Sequence, residues 1–283
     1  LCIGTLYPSL PLLFIKKKKN MKSIIWLRSV FPYEIQLHKI KYIRPVIILL
    51  ESKCLKKADM IISNGSDTTN YYKSHYNCKD IITINNAIEV SKIKPNNHFF
   101  ENDNIKIAFI GRYYENKGIY EFIESIKLYN LRHPNSNLEF IFIGFGEAEK
   151  EVNELVSKYN NVTNLGYLPN QKIYDILQEI DVNMNLTKSL GGGGVSNSLL
   201  EGIFSNNLII AWDSIIYKQV LTDEMGIFIE ENNINELVIA YEKLNNRSEM
   251  VAKIVNMEKI KNNYTFDEHI KQFCKSVNNL YHG

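Results

Sequence analysis

Short apolar runs of strand length alternate with helical patterns along most of this 283-residue chain. One such run, Ile105 to Ile110, is nearly continuous and ends at Gly111. A strand that is covered on both faces of a parallel sheet has this pattern, because neither of its sides meets water. The alternation therefore predicts an α/β protein whose parallel sheets are built from βα units.

The βα units form two groups, separated by a polar stretch at residues 90–104 that is typical of an interdomain linker. The first group has only four predicted strands: Cys2–Thr5, Ser23–Leu27, Asp59–Ser63 and Asp80–Ile84. Its predicted helices are Tyr33–Tyr42, Val46–Lys56 and Ser66–Tyr72. The second group has six strands, beginning at Ile105, Leu138, Val162, Asp181, Leu208 and Ile227, with three helices after the last of them.

The first group thus has fewer βα units than the second, and missing strands would leave an open apolar sheet edge. The chain also begins with Leu instead of Met, which predicts that it is the remnant of a longer protein.

Composition excludes several classes of protein. The chain is 45% hydrophobic and 23% charged, as expected of globular domains and not of a disordered chain. Its four cysteines are scattered without a pairing or metal-ligand spacing, which is typical of reduced cytoplasmic thiols. The six histidines are equally dispersed, so we predict no metal site. The opening apolar stretch is too short and too rich in proline for a membrane span or a signal peptide.

Positive charge is concentrated in the first part of the chain. Residues 1–100 hold 16 of the 33 Lys and Arg residues but only 6 of the 31 Asp and Glu residues. This half would be attracted to an anionic membrane surface or a polyanionic acceptor, although lysines that only keep the surface soluble are an equally good explanation. No recognised nucleic-acid motif accompanies the charge, so we do not expect nucleic acid as a partner.

Arg112 and Lys117 lie in the loop that follows the buried strand Ile105 to Ile110, just before Gly118 and the next predicted helix. In open α/β sheets, ligands bind at the edge formed by the carboxyl ends of the strands. A helix amino terminus with nearby cations suits a phosphate there. The two side chains are therefore predicted to form a diphosphate clamp. Taken alone, they are more often solvated surface charges.

Two glycine-rich segments add to this prediction. The first, around Gly144, is a G-x-G turn after a strand, without the third glycine of the dinucleotide fingerprint, so a nicotinamide dehydrogenase is disfavoured. The second contains four consecutive glycines, residues 191–194, whose backbone N–H groups can turn toward an anion. Ser196 or Asn197 can cap the next helix, and Glu201 lies about one turn inside it. Its carboxylate could accept hydrogen bonds from two sugar hydroxyls, or it could be an exposed helical side chain.

Seven segments, in this order along the chain, resemble the retaining glycosyltransferases of the GT-B fold, in particular the group 1 family, also called family 4. They are ADMIIS, NNAIE, GRYYENKG, FIGFGE, NVTNLGYLPNQKIYDIL, EIDVNMNLT and SNSLLEGIFSNNLIIAWD. The resemblance runs from about Asp59 to the end and is firmest over residues 103–262.

The resemblance implies two Rossmann-like domains that face each other across a cleft, with the first incomplete. Residues 1–97 would be a partial acceptor-side domain, residues 103–262 the nucleotide-sugar-binding domain, and residues 263–283 a helix that returns to the first domain. The implied reaction moves a sugar from a nucleotide-sugar donor to a saccharide or lipid-linked acceptor, with retention and without metal or cofactor. The protein would act in glycan assembly in the cytoplasm, peripheral to the inner face of the membrane.

The resemblance also implies roles for individual residues. Arg112 and Lys117 match the pair that neutralises the donor diphosphate and so carry the catalytic role, because such cations stabilise charge developing in the transition state. Glu201 matches the second Glu of the Glu-x7-Glu motif, which holds the ribose hydroxyls. The remaining expected donor-binding residues are Gly111, Gly144, Gly166, Tyr167, Leu168, Gly193, Gly194, Val195 and Ser196.

The chain departs from the family pattern at three places. Gly193 stands where the first Glu of Glu-x7-Glu is expected, Asn85-Asn86 replaces Asn-Gly, and the first half of the amino-terminal domain has no counterpart. These departures keep open a second function, a non-catalytic nucleotide-sugar-binding protein or partner subunit. An epimerase of the same fold is a third, for which no convincing acid and base pair is found.

Overall fold

A computed structural model describes residues 2–3, 6–14, 21–30, 41–76, 78, 80–189 and 193–282. Its contacts divide the chain into two compact units. The first unit comprises Leu1–Ala87, Ser189–Ser196 and Phe266–Gly283, and the second comprises Ile88–Lys188 and Asn197–Thr265. None of the helices in the described parts of the chain has the length and hydropathy of a membrane span.

The first unit contains a four-stranded parallel sheet in the order β1-β2-β3-β4. The strands are β1 (Cys2–Ile3), β2 (Ile24–Leu27), β3 (Met60–Ser63) and β4 (Ile81–Thr83). Its helices are α1 (Leu6–Ser9), α2 (Arg44–Lys57), α3 (Ser66–Tyr76) and α11 (Phe266–His282), with 3-10 turns at Leu10–Leu13 and Lys41–Ile43. The four strands predicted from apolar runs are confirmed within one or two residues where they are described. The predicted helix Tyr33–Tyr42 lies almost entirely outside the described residues.

Helices cover both faces of the first sheet. On one face, Ile25, Leu27 and Ile61 pack in a buried cluster with side chains of α2 and α3. On the other face, a second cluster is packed against by Phe273, Val277 and Leu280 of α11. The helix is amphipathic, so its apolar side is removed from water by this contact.

The second unit contains a six-stranded parallel sheet in the order β10-β9-β8-β5-β6-β7. The strands are β5 (Ile105–Ile110), β6 (Leu138–Ile143), β7 (Val162–Asn164), β8 (Val182–Asn185), β9 (Leu208–Trp212) and β10 (Gly226–Ile229). The helices are α4 (Ile119–Arg132), α5 (Glu149–Lys158), α6 (Asn170–Leu177), α7 (Asn197–Phe204), α8 (Ile215–Lys218), α9 (Ile234–Lys243) and α10 (Arg247–Lys261). All six predicted strands are present.

The strand order reverses at β5, which pairs with β6 on one side and with β8 on the other. In an open α/β sheet, the loops that leave the carboxyl ends of the strands at such a reversal diverge and leave room for a ligand. The loops after β5 and β8 are therefore where a binding site is expected on topological grounds.

The polar stretch at residues 90–104, expected to be a linker, is packed on the second unit. The side-chain amide of Asn96 donates to the Ile180 carbonyl at 2.9 Å, and the Phe100 N–H donates to Asp181 Oδ1 at 2.7 Å. Asp181 also accepts from the Lys106 N–H at 2.9 Å, so one buried carboxylate holds both this stretch and the start of β5.

Candidate functional site

Arg112 lies in the loop after β5, which is the strand at which the sheet order reverses. Its side chain is exposed, and its guanidinium carbon lies 5.3 Å from the centroid of the Tyr114 ring. Among the described residues, no carboxylate forms an ion pair with it. A guanidinium that is oriented by a ring but not neutralised by a carboxylate remains able to bind an anion.

Lys117 ends the 3-10 turn Glu115–Lys117 in the same loop. Its Nζ donates to Thr187 Oγ1, on the segment that follows β8, at 3.4 Å. A backbone hydrogen bond also joins the two loops, since the Lys188 N–H donates to the Asn116 carbonyl at 3.0 Å. The loops after β5 and β8 are thus joined at the switch point, with the Lys117 ammonium at the junction.

Gly118 explains how the two loops come so close. Its φ is +73°, in the left-handed region, and a Cβ at this position would lie 2.5 Å from both Cβ and the carbonyl oxygen of Leu186. Only glycine accepts both the backbone angle and the contact. Helix α4 begins at the next residue, so its amino terminus lies at the carboxyl edge of the sheet.

Three of the glycines expected to bind the donor lie together at this edge. The Gly111 N–H donates to the Ile143 carbonyl, and the Gly144 N–H donates to the Gly166 carbonyl, each at 2.9 Å. A Cβ on Gly144 would lie 1.8 Å from the Gly111 carbonyl oxygen. The loops after β5, β6 and β7 are therefore in backbone contact, and a side chain is excluded at Gly144.

An exposed aromatic pair lies next to these glycines. Tyr167 is 70% exposed and Phe145 is 48% exposed, and their rings meet edge to face with centroids 5.6 Å apart. Such a surface can stack a planar base. Leu168, also expected here, is half-buried. Sequence reasoning missed Phe145, although its position between Gly144 and Gly146 in a turn after a strand was a usable signal.

Glu201 lies on α7, whose first turn touches the end of β5. Ser198 Oγ donates to the Ile110 carbonyl at 3.3 Å, and Glu201 is three residues further along the helix. Burial raises the pKa of the Glu201 carboxyl above its ordinary value, and the charge of Glu201 contributes, after burial, to the raised pKa of Tyr174. Within the described parts of the chain, no side chain or backbone group donates a hydrogen bond to this carboxylate. A half-buried acceptor without a donor is suited to ligand hydroxyls.

The other expected donor-binding residues, Gly193 to Ser196, belong to the first unit by their contacts. The Gly194 N–H donates to both carboxylate oxygens of Asp67, at 3.0 and 2.9 Å. The Val195 N–H donates to the Asn64 carbonyl at 3.1 Å, and the side-chain amide of Asn86 donates to the Val195 carbonyl at 2.6 Å. The Gly194 amide, expected to face an anionic ligand, is therefore bound to an internal carboxylate. Residues 190–192, which include the first two glycines of the run, lie outside the described residues.

Gly193 also has a packing reason to lack a side chain. A Cβ there would lie 2.9 Å from Thr68 Oγ1 and 3.3 Å from the Cα of Ser29. A glutamate at this position would thus need its neighbours to move. Sequence reasoning identified Gly193 as a departure but could not identify these contacts, nor the partners Asp67, Asn64 and Asn86.

Comparison with known proteins supports the motif-based resemblance. The model of the family "Glycosyl transferases group 1" matches residues 90–260. An uncharacterized glycosyltransferase of Methanocaldococcus jannaschii is 26% identical over 238 residues, which is 80% of this chain and 59% of that protein. The chain thus spans little more than half the length of this curated relative.

Solved structures show the same fold at low identity. Sucrose-phosphate synthase from Thermosynechococcus elongatus superposes with a TM-score of 0.80 at 14% identity, over 98% of this chain and 72% of that chain. Anabaena HepE, solved in complex with UDP-glucose, gives a TM-score of 0.73 at 12% identity, over 90% of this chain and 72% of that chain. These similarities confirm the GT-B-like α/β fold predicted from the sequence.

Proposed function

Because this chain belongs to the group 1 glycosyl transferases, we propose that it moves a sugar from a nucleotide-sugar donor to a saccharide or lipid-linked acceptor. The observation that carries the proposal is the junction at the switch point of the second sheet. There, Arg112 follows β5, Lys117 reaches Thr187 after β8, and α7 touches the end of β5. Two cations and a half-buried carboxylate thus lie on elements that meet at one edge, which suits a nucleoside diphosphate with ribose hydroxyls.

Each of these groups has a defined role in the proposed reaction. As the bond between the anomeric carbon and the diphosphate breaks, negative charge grows on the leaving phosphate oxygens, and Arg112 and Lys117 stabilise it. The same two charges replace a divalent ion, so the proposed reaction is metal-independent. Glu201 holds the ribose, while Phe145 and Tyr167 provide a surface for the base. The acceptor hydroxyl oxygen bonds to the anomeric carbon on the face from which the diphosphate departs, and the hydroxyl proton passes to the departing phosphate oxygen. The configuration of the anomeric carbon is thereby retained.

The donor class is supported by the fold relative that was solved with UDP-glucose, Anabaena HepE. Gly111, Gly144, Gly166 and Leu168 are proposed to line the donor site in the second unit, and donor binding by Gly193 to Ser196 stays a prediction from the resemblance. Peripheral contact with an anionic membrane, as expected of a lipid-linked acceptor, is part of the proposal.

The test is incubation of the full chain with a panel of nucleotide sugars, measuring release of nucleoside diphosphate with and without a candidate acceptor. We expect release that survives addition of EDTA, and a product whose anomeric configuration, measured by NMR, is that of the donor. Inversion or loss of activity with EDTA would contradict the respective part of the proposal.

A second candidate function is binding of a nucleotide sugar without transfer, as in a partner subunit. The observation that favours it is Gly193, which leaves the position of the first family glutamate without a carboxylate. Calorimetric binding of a nucleotide sugar, with no diphosphate released for any donor and acceptor, would support this function over the first.

A further inference from the structure

The solvent-facing side of helix α2, in the first unit, carries a stripe of apolar side chains. Val46 and Leu49 are 57% and 56% exposed, and Tyr42, in the 3-10 turn before the helix, is 83% exposed. Residues spaced by three and four lie on the same face of a helix, so these three side chains form one continuous surface. Apolar side chains of this size, grouped and exposed, mark an interaction site more often than scattered ones do.

Positively charged side chains extend the same stripe toward the carboxyl end of α2. Lys53 and Lys56 follow Leu49 at spacings of four and three, and both are exposed. The only acidic residue of α2, Glu51, lies on the opposite face and is 1% exposed. There it accepts hydrogen bonds from the hydroxyls of Tyr72 at 2.9 Å and Tyr76 at 2.5 Å. The outward face of α2 therefore combines apolar side chains with lysines and has no acidic side chain of its own.

A further aromatic side chain lies near the basic end of α2. Lys57 Nζ donates to the carbonyls of Leu12 and Leu13, at 3.3 and 2.7 Å, and so holds the 3-10 turn Leu10–Leu13 against the end of the helix. Phe14 follows this turn and is 84% exposed. An exposed phenylalanine next to lysines is costly in water but suits the boundary between lipid headgroups and acyl chains.

We propose that this surface, formed by Tyr42, Val46, Leu49, Lys53 and Lys56, docks on an anionic lipid bilayer, with Phe14 as a further contact near the end of the helix. The apolar and aromatic side chains enter the headgroup boundary, while the lysines bind the lipid phosphates. Charge complementarity favours this partner over a protein with a mixed surface, because residues 1–100 carry a large excess of Lys and Arg over Asp and Glu. The inference deepens the membrane contact that forms part of the proposed function.

The test is co-sedimentation of the full chain with lipid vesicles, in the absence of donor and acceptor. We expect binding to vesicles of mixed phosphatidylcholine and phosphatidylglycerol, and little binding to phosphatidylcholine alone. The variant Val46→Ser/Leu49→Ser should lower the partition coefficient about tenfold. The variant Lys53→Glu/Lys56→Glu should lower it by at least about tenfold, because each lysine contributes separately to the attraction.

Matched controls come from the second unit. Val255→Ser and Leu131→Ser remove side chains that are 57% and 78% exposed, and Lys150→Glu reverses an exposed charge. We expect all three to bind vesicles as the unaltered chain does, and far-UV circular dichroism to be the same for every variant.

Three results would overturn the inference: equal binding to zwitterionic vesicles, undiminished binding of the Lys53→Glu/Lys56→Glu variant, or conversion of a dimer to a monomer by Val46→Ser/Leu49→Ser. The last would show that the stripe is a protein interface. Vesicle binding and nucleoside diphosphate binding in solution are measured separately, so failure of the membrane surface and failure of the proposed sugar transfer can be distinguished.

Discussion

Gly194 and Asp67, which are 127 residues apart in the chain, are joined by a hydrogen bond from the Gly194 N–H to both oxygens of the Asp67 carboxylate. Gly194 is buried, with a φ of +73°, and a Cβ there would lie 2.3 Å from the side chain of Asn64. The end of the glycine run is thus fixed to the first unit.

We expect Asp67→Ala to lower the free energy of unfolding of the first unit by about 1–3 kcal/mol, because a buried amide then loses a charged acceptor. Amide hydrogen exchange at Gly194 and Val195 should become faster, while exchange in β3 and α7 changes little. Asp80→Ala, at an exposed position after α3, is the matched control. Unchanged exchange at Gly194 in the Asp67 variant would show that the carboxylate does not hold the segment.

The diphosphate clamp predicts a loss of ligand affinity. Arg112→Ala and Lys117→Ala should each weaken binding of a nucleoside diphosphate by about 1–3 kcal/mol, since each removes a charge-assisted hydrogen bond to phosphate. The measurement is isothermal titration calorimetry. Lys150→Ala, which removes an ammonium on α5 whose side chain is 84% exposed, should leave the affinity unchanged. Equal affinities for all three variants and the unaltered chain would exclude the clamp.

Glu201 should link stability to pH and ligand binding. Burial raises the pKa of its carboxyl above the ordinary value of 4.5, so the folded chain holds the proton more tightly than the unfolded chain does. Its contribution to stability is then fully present below the unfolded pKa and is lost as the pH rises through the raised pKa. Glu201→Gln removes this loss, so the variant should gain stability relative to the unaltered chain at about pH 8 but not at about pH 4.

The same substitution should weaken binding of a ribonucleotide and have little effect on a 2′,3′-dideoxynucleotide, because the amide group accepts fewer hydrogen bonds than the carboxylate. Thermal unfolding at the two pH values and calorimetry with the two nucleotides test both statements. Equal weakening for both nucleotides would argue against contact between Glu201 and the ribose.

The contact between Gly111 and Gly144 predicts that alanine lowers the free energy of unfolding more at Gly144 than at Gly166. Gly144→Ala places a Cβ 1.8 Å from the Gly111 carbonyl oxygen and should cost about 1–3 kcal/mol or more, because two backbone loops must separate. Gly166→Ala meets no atom within 4 Å and should cost only about 1–2 kcal/mol, from its φ of +65°. Urea denaturation measures both. A larger cost for Gly166→Ala would contradict the close approach of the two loops.

The second sheet could be predicted well from sequence because its central strands are buried on both faces. Ile105–Ile110 and Leu138–Ile143 were predicted to the residue, since each is an apolar run with a single charged residue near its start. Helix ends were less accurate: α3 continues to Tyr76, four residues beyond its predicted end, because Tyr76 is buried against Glu51. Tyr76 lies four residues after Tyr72, which also contacts Glu51, so the helical spacing was a usable signal.

In the candidate site, residues that share one loop could be predicted, whereas contacts between loops could not. Arg112, Lys117 and Gly118 could be identified together because they share one loop after one strand. The contact of Lys117 with Thr187 and the pairing of Phe145 with Tyr167 could not, since both depend on which strands are neighbours. For the glycine run, sequence indicates that positive φ is accessible but does not indicate that Asp67 will bind one of its amides.

The division of contacts between the two units has a practical consequence for protein engineering. The chain passes from one unit to the other after residues 87, 188, 196 and 265. A fragment ending at residue 87 would lack α11 and leave the apolar cluster of Ile24, Met60, Ile62 and Ile84 uncovered. We expect such a fragment to aggregate, so a chimera that exchanges one unit with a relative must transplant all of its discontinuous pieces together.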